Sequence, residues 1–195
     1  MVQALRMAVL MLVVMTLITG LAYPLAITGI AQLVFPRQAN GSLVRNGDMV
    51  IGSSLIGQYF SKPEYFHPRP SAAVAPGAGS DGYDPLNSNA TNLAPSSKKL
   101  VGNVTAAVEA NQPDNPASPV PGDLVTASAS GLDPDITPAA AAFQVPRVAK
   151  ARGMTEDQIL ALVAECTKGR TLGLFGEPRV NVLKLNLLLD RNSTR

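Results

Sequence analysis

From Met7 to Phe35 the chain carries no Asp, Glu, Lys or Arg, and only Thr16, Thr19, Thr28 and Gln32 interrupt its apolar character. Wound as an α-helix, this run extends roughly 42 Å at ~1.5 Å per residue, against a hydrocarbon core of ~30 Å. A surface helix of a soluble protein keeps a polar edge, and this stretch keeps none, so the pattern predicts a membrane span over residues 7–35. A cleaved signal peptide would need a basic leader and an apolar core of about 7–15 residues. Arg6 is the one basic residue before the run, which is about twice that length, so a retained anchor is expected. Residues 1–6 then form a short N-terminus and residues 36–195 a soluble domain.

Two features give the span a further role. Pro24 lacks an N–H and crowds the carbonyl of Gly20, which predicts a kink. Thr19, Ala22, Ala26 and Gly29 recur at helical spacing and form a face of small residues. Such a face lets a second helix approach closely, which is how spans associate inside lipid. The expected packing set is Thr19, Ala22, Pro24, Ala26 and Gly29.

After the span the periodicity becomes short and broken. Pro36 is expected to stop the helix. SLVRNGDMVIG (42–52) reads as a β-hairpin turning at Asn46-Gly47. Residues 61–95 form a long irregular loop whose Tyr65, Phe66 and Tyr83 should fold back onto a core. Ser96 or Ser97 caps a helix reaching about Ala110, with Leu100, Val104, Ala107 and Val108 on one side. A Pro-rich connector covers 111–122, and DLVTAS (123–128) reads as a short strand. Thr137-Pro138 opens a helix that Pro146 is expected to interrupt, with a second basic turn ending at Gly153. Thr155 and Gln158 make a capping box for a helix closing at Gly169. The tail at 179–191 fits helix or strand, and its leucine content favours helix. The sum is an α+β protein: one N-terminal transmembrane helix, then one small mixed α/β domain.

Composition narrows the chemistry. Hydrophobic content is 46% with 5% aromatics, and a net charge of +2 is too weak to point to a nucleic-acid partner. The single Cys166 leaves no intrachain disulfide or multi-cysteine metal site, and its place beside Val163 fits a buried thiol. No phosphate-cradling P-loop, phosphorylatable Asp-Lys-Thr-Gly, TVGYG-type filter or G-x-S-x-G elbow occurs. His67, beside Arg69, has no nucleophile at readable spacing and reads as an ordered loop histidine. Asp81 and Asp84 lack cation-loop spacing and read as solvated turn residues. Arg147, Lys150 and Arg152 cluster behind Gln144, near the helix start expected at Pro146. They could hold a phosphate or an acidic partner surface, or form a solvated face. No catalytic residue and no metal site is expected. Flanking charge does not decide orientation, since Arg6 precedes the span while Arg37 and Arg45 follow it.

Several longer stretches are chemically distinctive: ITGLAYPLAITGIAQLVFPRQANGSLV, IGQYF, YFHPRPSA, SNATNLAPS, VTASASGLDPDITPAAAAFQVPRVAKARG and EPRVNVLKLNLLLD. In this order, over nearly the whole chain, they closely resemble the C subunit of the bacterial high-affinity potassium-transporting Kdp ATPase. That resemblance implies a non-catalytic accessory subunit of an inner-membrane complex, needed for assembly and activity. The partners it implies are a channel-like potassium-translocating subunit, an ATP-hydrolysing P-type subunit and a small additional subunit, with membrane lipid around the span. It also implies a cytoplasmic N-terminus, an extracytoplasmic, periplasmic domain, and a role in raising the ATP affinity of the catalytic subunit. ATP is the one cofactor it brings in, with contact ascribed to a region that here holds Ser128, Ser130, Gly131 and Gln144. The alternative is a membrane-anchored periplasmic enzyme or ligand-binding module built around the Tyr65–Asn92 loop.

Overall fold

The computed structural model describes residues 1–74 and 82–193. Two compact units divide it, Met1–Ser53 and Ser54–Arg195. The first unit begins with helical residues Val2–Val34, long and apolar enough to cross a membrane. This span consists of α1 (Val2–Thr16), a π-helical turn (Leu17–Ala22) and α2 (Tyr23–Val34). The π turn answers the problem set by Pro24, whose ring would collide with the carbonyl one α-turn back. The Tyr23 N–H donates to the Ile18 carbonyl, five residues back, so the turn widens just ahead of the proline. Where a kink was expected at Pro24, the helix makes a wide π turn just ahead of the proline.

Phe35, before Pro36, leaves the helical region at φ −132° and ψ 52°, and Pro36 opens the short α3 (Pro36–Ala39) instead of ending the span itself. The Asn40 side-chain amide then donates to Gln32 Oε1 (3.0 Å) and to the Pro36 carbonyl (2.6 Å). The hairpin follows, β1 (Leu43–Asn46) paired antiparallel with β2 (Met49–Ser53). Its turn lies one position later than expected. Asn46 pairs with Met49 as a strand residue, and Gly47 takes the left-handed conformation. The hairpin groups with the span segment, while Ser54 begins the second unit.

The second unit is built on a small antiparallel sheet of order β3-β5-β4: β3 (Asp135–Ile136), β4 (Thr167–Lys168) and β5 (Arg179–Asn181). Helices α5 (Pro138–Arg152), α6 (Glu156–Cys166) and α7 (Val182–Ser193) pack with it. Ile136, Val145, Val148, Ile159, Val163, Val180, Leu185 and Leu189 form the core, and Phe66 is inserted among them. The Cys166 thiol is half-buried and packed against this core. Burial, then the neighbouring Glu165 carboxylate, pushes its pKa up.

The helix starts follow local chemistry. Thr137 Oγ1 accepts from the Ala140 N–H, and Thr155 with Gln158 completes a reciprocal capping box. Helix α4 (Lys98–Asn111) begins after Ser97, although the Ser97 hydroxyl makes no cap bond.

Four expectations need correction. Pro146 does not interrupt α5, which continues to Arg152 and closes on the left-handed Gly153. The carbonyl that Pro146 leaves without a helical donor belongs to Ala142, an exposed residue, while Val145 and Val148 hold the surrounding turn in the core. Arg147 therefore sits in the body of a helix, not at a start. Helix α6 ends at Cys166 rather than Gly169, because Thr167 turns extended to pair with Val180. DLVTAS is no strand: Gly122–Leu124 forms a 3-10 turn, and the Gly122 carbonyl accepts from both the Val125 and Thr126 N–H groups. The tail splits into strand and helix at Asn181, whose Oδ1 accepts the Lys184 N–H as an N-cap.

Candidate functional site

Residues 62–74 form no helix or strand, yet Phe66 and Ala73 are fully buried. Buried main-chain polar groups outside a ladder need other partners. Two carboxamides supply them. Asn186, in α7 and 1% exposed, accepts the Phe66 N–H (2.9 Å) and donates to the Phe66 carbonyl (3.0 Å). Gln144, in α5 and also 1% exposed, accepts the His67 N–H (2.7 Å) and donates to the His67 carbonyl (3.2 Å). Each amide thereby imitates a strand neighbour for one residue.

Two arginines of α5 reinforce this strap. Arg147 Nη1 donates to the carbonyls of Pro63 (2.7 Å) and Tyr65 (2.9 Å), Nη2 to Gln144 Oε1 (2.7 Å), and Nε to the Asp114 carboxylate (2.6 Å). Arg152 Nε donates to the Glu64 carbonyl (2.6 Å) and Nη2 to Asp190 (2.8 Å), with its guanidinium 5.0 Å from the centre of the Tyr65 ring. Tyr65 donates its hydroxyl to Asp190. Its pKa is raised, by burial first and then by that carboxylate. Lys150 is exposed and stands apart from the bonds that Arg147 and Arg152 make. The basic cluster of the sequence is therefore two anchoring arginines and one surface lysine.

His67 is half-buried, and its Nε2 lies 3.1 Å from the Lys62 carbonyl. Burial, together with the Arg147 charge, lowers its pKa and keeps the ring neutral. An open groove of about 400 Å³ passes His67, Arg69, Tyr59 and Tyr83. Among the described residues no group of three or more His, Cys, Asp or Glu could hold a metal ion. Asp81 lies outside the described residues. Asp84 accepts the Leu86 N–H as a local turn carboxylate.

Ser128, Ser130 and Gly131 form the knot that holds the next part of the strap. Ser128 Oγ accepts the Gly131 N–H (2.8 Å), and Ser130 Oγ accepts the Leu132 N–H (3.1 Å). The Ser130 carbonyl accepts from the Asn89 N–H and the Ser88 hydroxyl. The Gly131 carbonyl accepts the Ser71 hydroxyl (2.6 Å), and Ser71 Oγ in turn accepts the Tyr83 N–H. Gly131 takes φ +69° with Ala73 and the Asn89 carbonyl against it, so a side chain there would be strained and would collide. Arg69 donates to Asp133 (2.9 Å), and the Tyr83 hydroxyl donates to the Arg69 carbonyl. The polar atoms of Ser128, Gly131, Gln144, Arg147 and Arg152 thus hold the chain to itself, and a phosphate bound there would have to displace those bonds.

In the other unit, Ala26 and Gly29 keep α spacing along one side of α2, and Ala22 ends the π turn just before it. Thr19 lies inside the π turn, which adds a residue to that turn and rotates Thr19 away from the α register. Its hydroxyl donates to the Met15 carbonyl (2.7 Å).

The span, the strap motifs and the serine-glycine knot occupy most of the chain, and the family model described as "K+-transporting ATPase, c chain" matches residues 5–191. The chain belongs to this KdpC family. It is 54% identical over 201 residues to the potassium-transporting ATPase KdpC subunit of Bradyrhizobium diazoefficiens, with both chains covered in full. The KdpC subunit of Rhodopseudomonas palustris is 53% identical, again over both full lengths. That of Methylobacterium nodulans is 54% identical over 97% of this chain and 98% of its own. As a KdpC-family chain it is an accessory, membrane-associated subunit of a multi-subunit potassium-transporting ATPase complex.

Sequence reasoning did not find Asn186, Asp114, Asp190, Ser71 or Asp133. Asn186 carried a signal, a lone amide amid the leucines of LKLNLLLD. The others have none, since their partners lie far away along the chain. The clamp makes a sharp contrast between two cations one helical turn apart. Arg147→Ala is expected to lower stability by about 2–4 kcal/mol, since it strips a half-buried carboxylate and two strap carbonyls of donors. Lys150→Ala should change it by less than about 0.5 kcal/mol. Denaturant unfolding of the detergent-solubilised chain measures both.

Proposed function

We propose that this chain is a non-catalytic subunit that assembles and supports an ATP-driven potassium uptake complex, docking its span on a helix of the channel-like subunit. The observation that carries the docking is the run of small residues from Ala22, which ends the π turn ahead of Pro24, to Ala26 and Gly29 on α2. Close backbone approach at such a face gives dispersion contacts and needs no buried charge. Thr19 and Pro24 border the contact at the wide turn. In this reading the N-terminus lies in the cytoplasm of a bacterial inner membrane and residues 36–195 lie in the periplasm, as the resemblance implies. The channel-like, ATP-hydrolysing and small additional subunits are its partners. Its effect on ATP affinity is passed to the catalytic subunit through protein contact, because the serine, glycine and arginine groups that could meet a nucleotide already hold the strap.

Ala26→Leu adds bulk at the centre of the small face and should cut recovery of the chain with its partners after mild detergent extraction by at least threefold. Ala31→Leu, on the opposite side of α2, should leave recovery unchanged. In the same preparations the ATP concentration for half-maximal hydrolysis should rise as the subunit is lost. Equal recovery for both variants would place assembly in the soluble unit, and an unchanged ATP requirement would remove the affinity role. For topology, Ser96→Cys should react with a membrane-impermeant thiol reagent in intact spheroplasts. Labelling only after lysis would reverse the orientation.

A further inference from the structure

The connection from β4 to β5 carries TKGRTLGLFGEPRV, a hairpin whose tip leaves three large apolar side chains in the open. Leu172 is 84% exposed, Leu174 75% and Phe175 65%. These residues are not a frayed loop. Thr171 and Phe175 form an antiparallel bridge, and Arg170 closes the base with 2.8 Å bonds to both Glu177 carboxylate oxygens. Leu172 itself takes φ +56°, followed by Gly173 at φ +73°. A leucine in the left-handed region is strained, and the gain from burial that would normally offset the strain is absent here. The turn holds an apolar residue out into its surroundings against both its backbone preference and its hydration.

We propose that this hairpin tip is a membrane-interface anchor, inserting Leu172, Leu174 and Phe175 into the headgroup–acyl boundary of an anionic bilayer. Charge and shape select lipid over protein. Residues 167–179 hold three basic side chains, Lys168, Arg170 and Arg179, against one acid, Glu177. Arg170 pairs with Glu177, and Arg179 lies 3.2 Å from Asp135, so the arms also hold acids in place while Lys168 is exposed. Glu177 and Asp135 offset two of the three cations and leave a net charge of +1 with Lys168 exposed. Apolar residues beyond such a net-positive base match the layering of acyl chain and anionic headgroup. A three-residue convex tip falls short of the ~800 Å² that each partner of a stable protein interface buries, whereas lipid imposes no such requirement. The chain also carries a membrane-spanning helix, which keeps the local concentration of bilayer high, so weak insertion suffices. This inference is independent of where the span docks.

The chain contains no tryptophan, so Phe175→Trp makes a sole reporter at the tip and Leu86→Trp a sole reporter at a site 94% exposed outside the hairpin. Each full-length variant is reconstituted in vesicles of phosphatidylglycerol and phosphatidylcholine brominated near the top of its acyl chains. The tip reporter should be quenched at least threefold more strongly than the Leu86 reporter. Adding Leu174→Asp, or replacing phosphatidylglycerol with phosphatidylcholine, should at least halve that quenching. Equal quenching at the two sites would overturn the proposal. So would a tip reporter that escapes bromine quenching and becomes shielded from aqueous acrylamide only in the reconstituted complex, since that result would make the tip a protein contact.

Discussion

Two buried carboxamides carry the second unit. Gln144 and Asn186 each exchange a donor and an acceptor with one residue of an irregular strap, His67 and Phe66 respectively. Without them, the main chain that brings Phe66 into the core would bury unpaired N–H and C=O groups, each costing roughly 1–3 kcal/mol. The amides sit on α5 and α7, so the strap ties together two of the three helices that pack with the sheet. Arg147 and Arg152 extend the same solution outward, placing guanidinium donors on the carbonyls of Pro63, Glu64 and Tyr65. A buried charge is tolerated there because carboxylates of Asp114 and Asp190 complete each site.

This arrangement gives the distinctive stretches of this chain a common physical reason. YFHPRPSA is the strap, AFQVPRVAKARG supplies its amide and arginines, SASGLD is the knot that receives Ser71 and Asn89, and LKLNLLLD brings the second amide. In them the side chains of Ser71, Gln144, Arg147, Arg152 and Asn186 serve main-chain atoms. The contact surfaces proposed above, the small-residue side of α2 and the apolar tip between β4 and β5, lie outside this network.

What could be read from the sequence was local. The capping box at Thr155, the Thr137-Pro138 start, the left-handed Gly153 and the apolar span each depend on residues within one or two turns. The misplaced features were decided elsewhere. Pro146 lies within a helix because Val145 and Val148 are gripped by the core and Ala142 faces water. Helix α6 gives up its last turn because Thr167 gains a partner in Val180. The candidate cluster at 144–152 was legible as a set of residues but not as a clamp, since its acceptors lie at positions 63–67, 114 and 190. Local charge pattern left a ligand site and a solvated face both open, and distant carbonyls and carboxylates supply the answer.

With these bonds in place, the strap is held as firmly as the helices that hold it. Residue-resolved amide hydrogen exchange on the full-length chain in detergent tests this directly. The Phe66 and His67 amides should exchange as slowly as those of Val145 and Val148 in the core of α5. Substituting both Gln144→Leu and Asn186→Leu should speed exchange at the two strap amides at least tenfold more than at α5. Fast exchange of Phe66 and His67 in the unsubstituted chain, beside a protected α5, would contradict the claim that the carboxamides hold the strap.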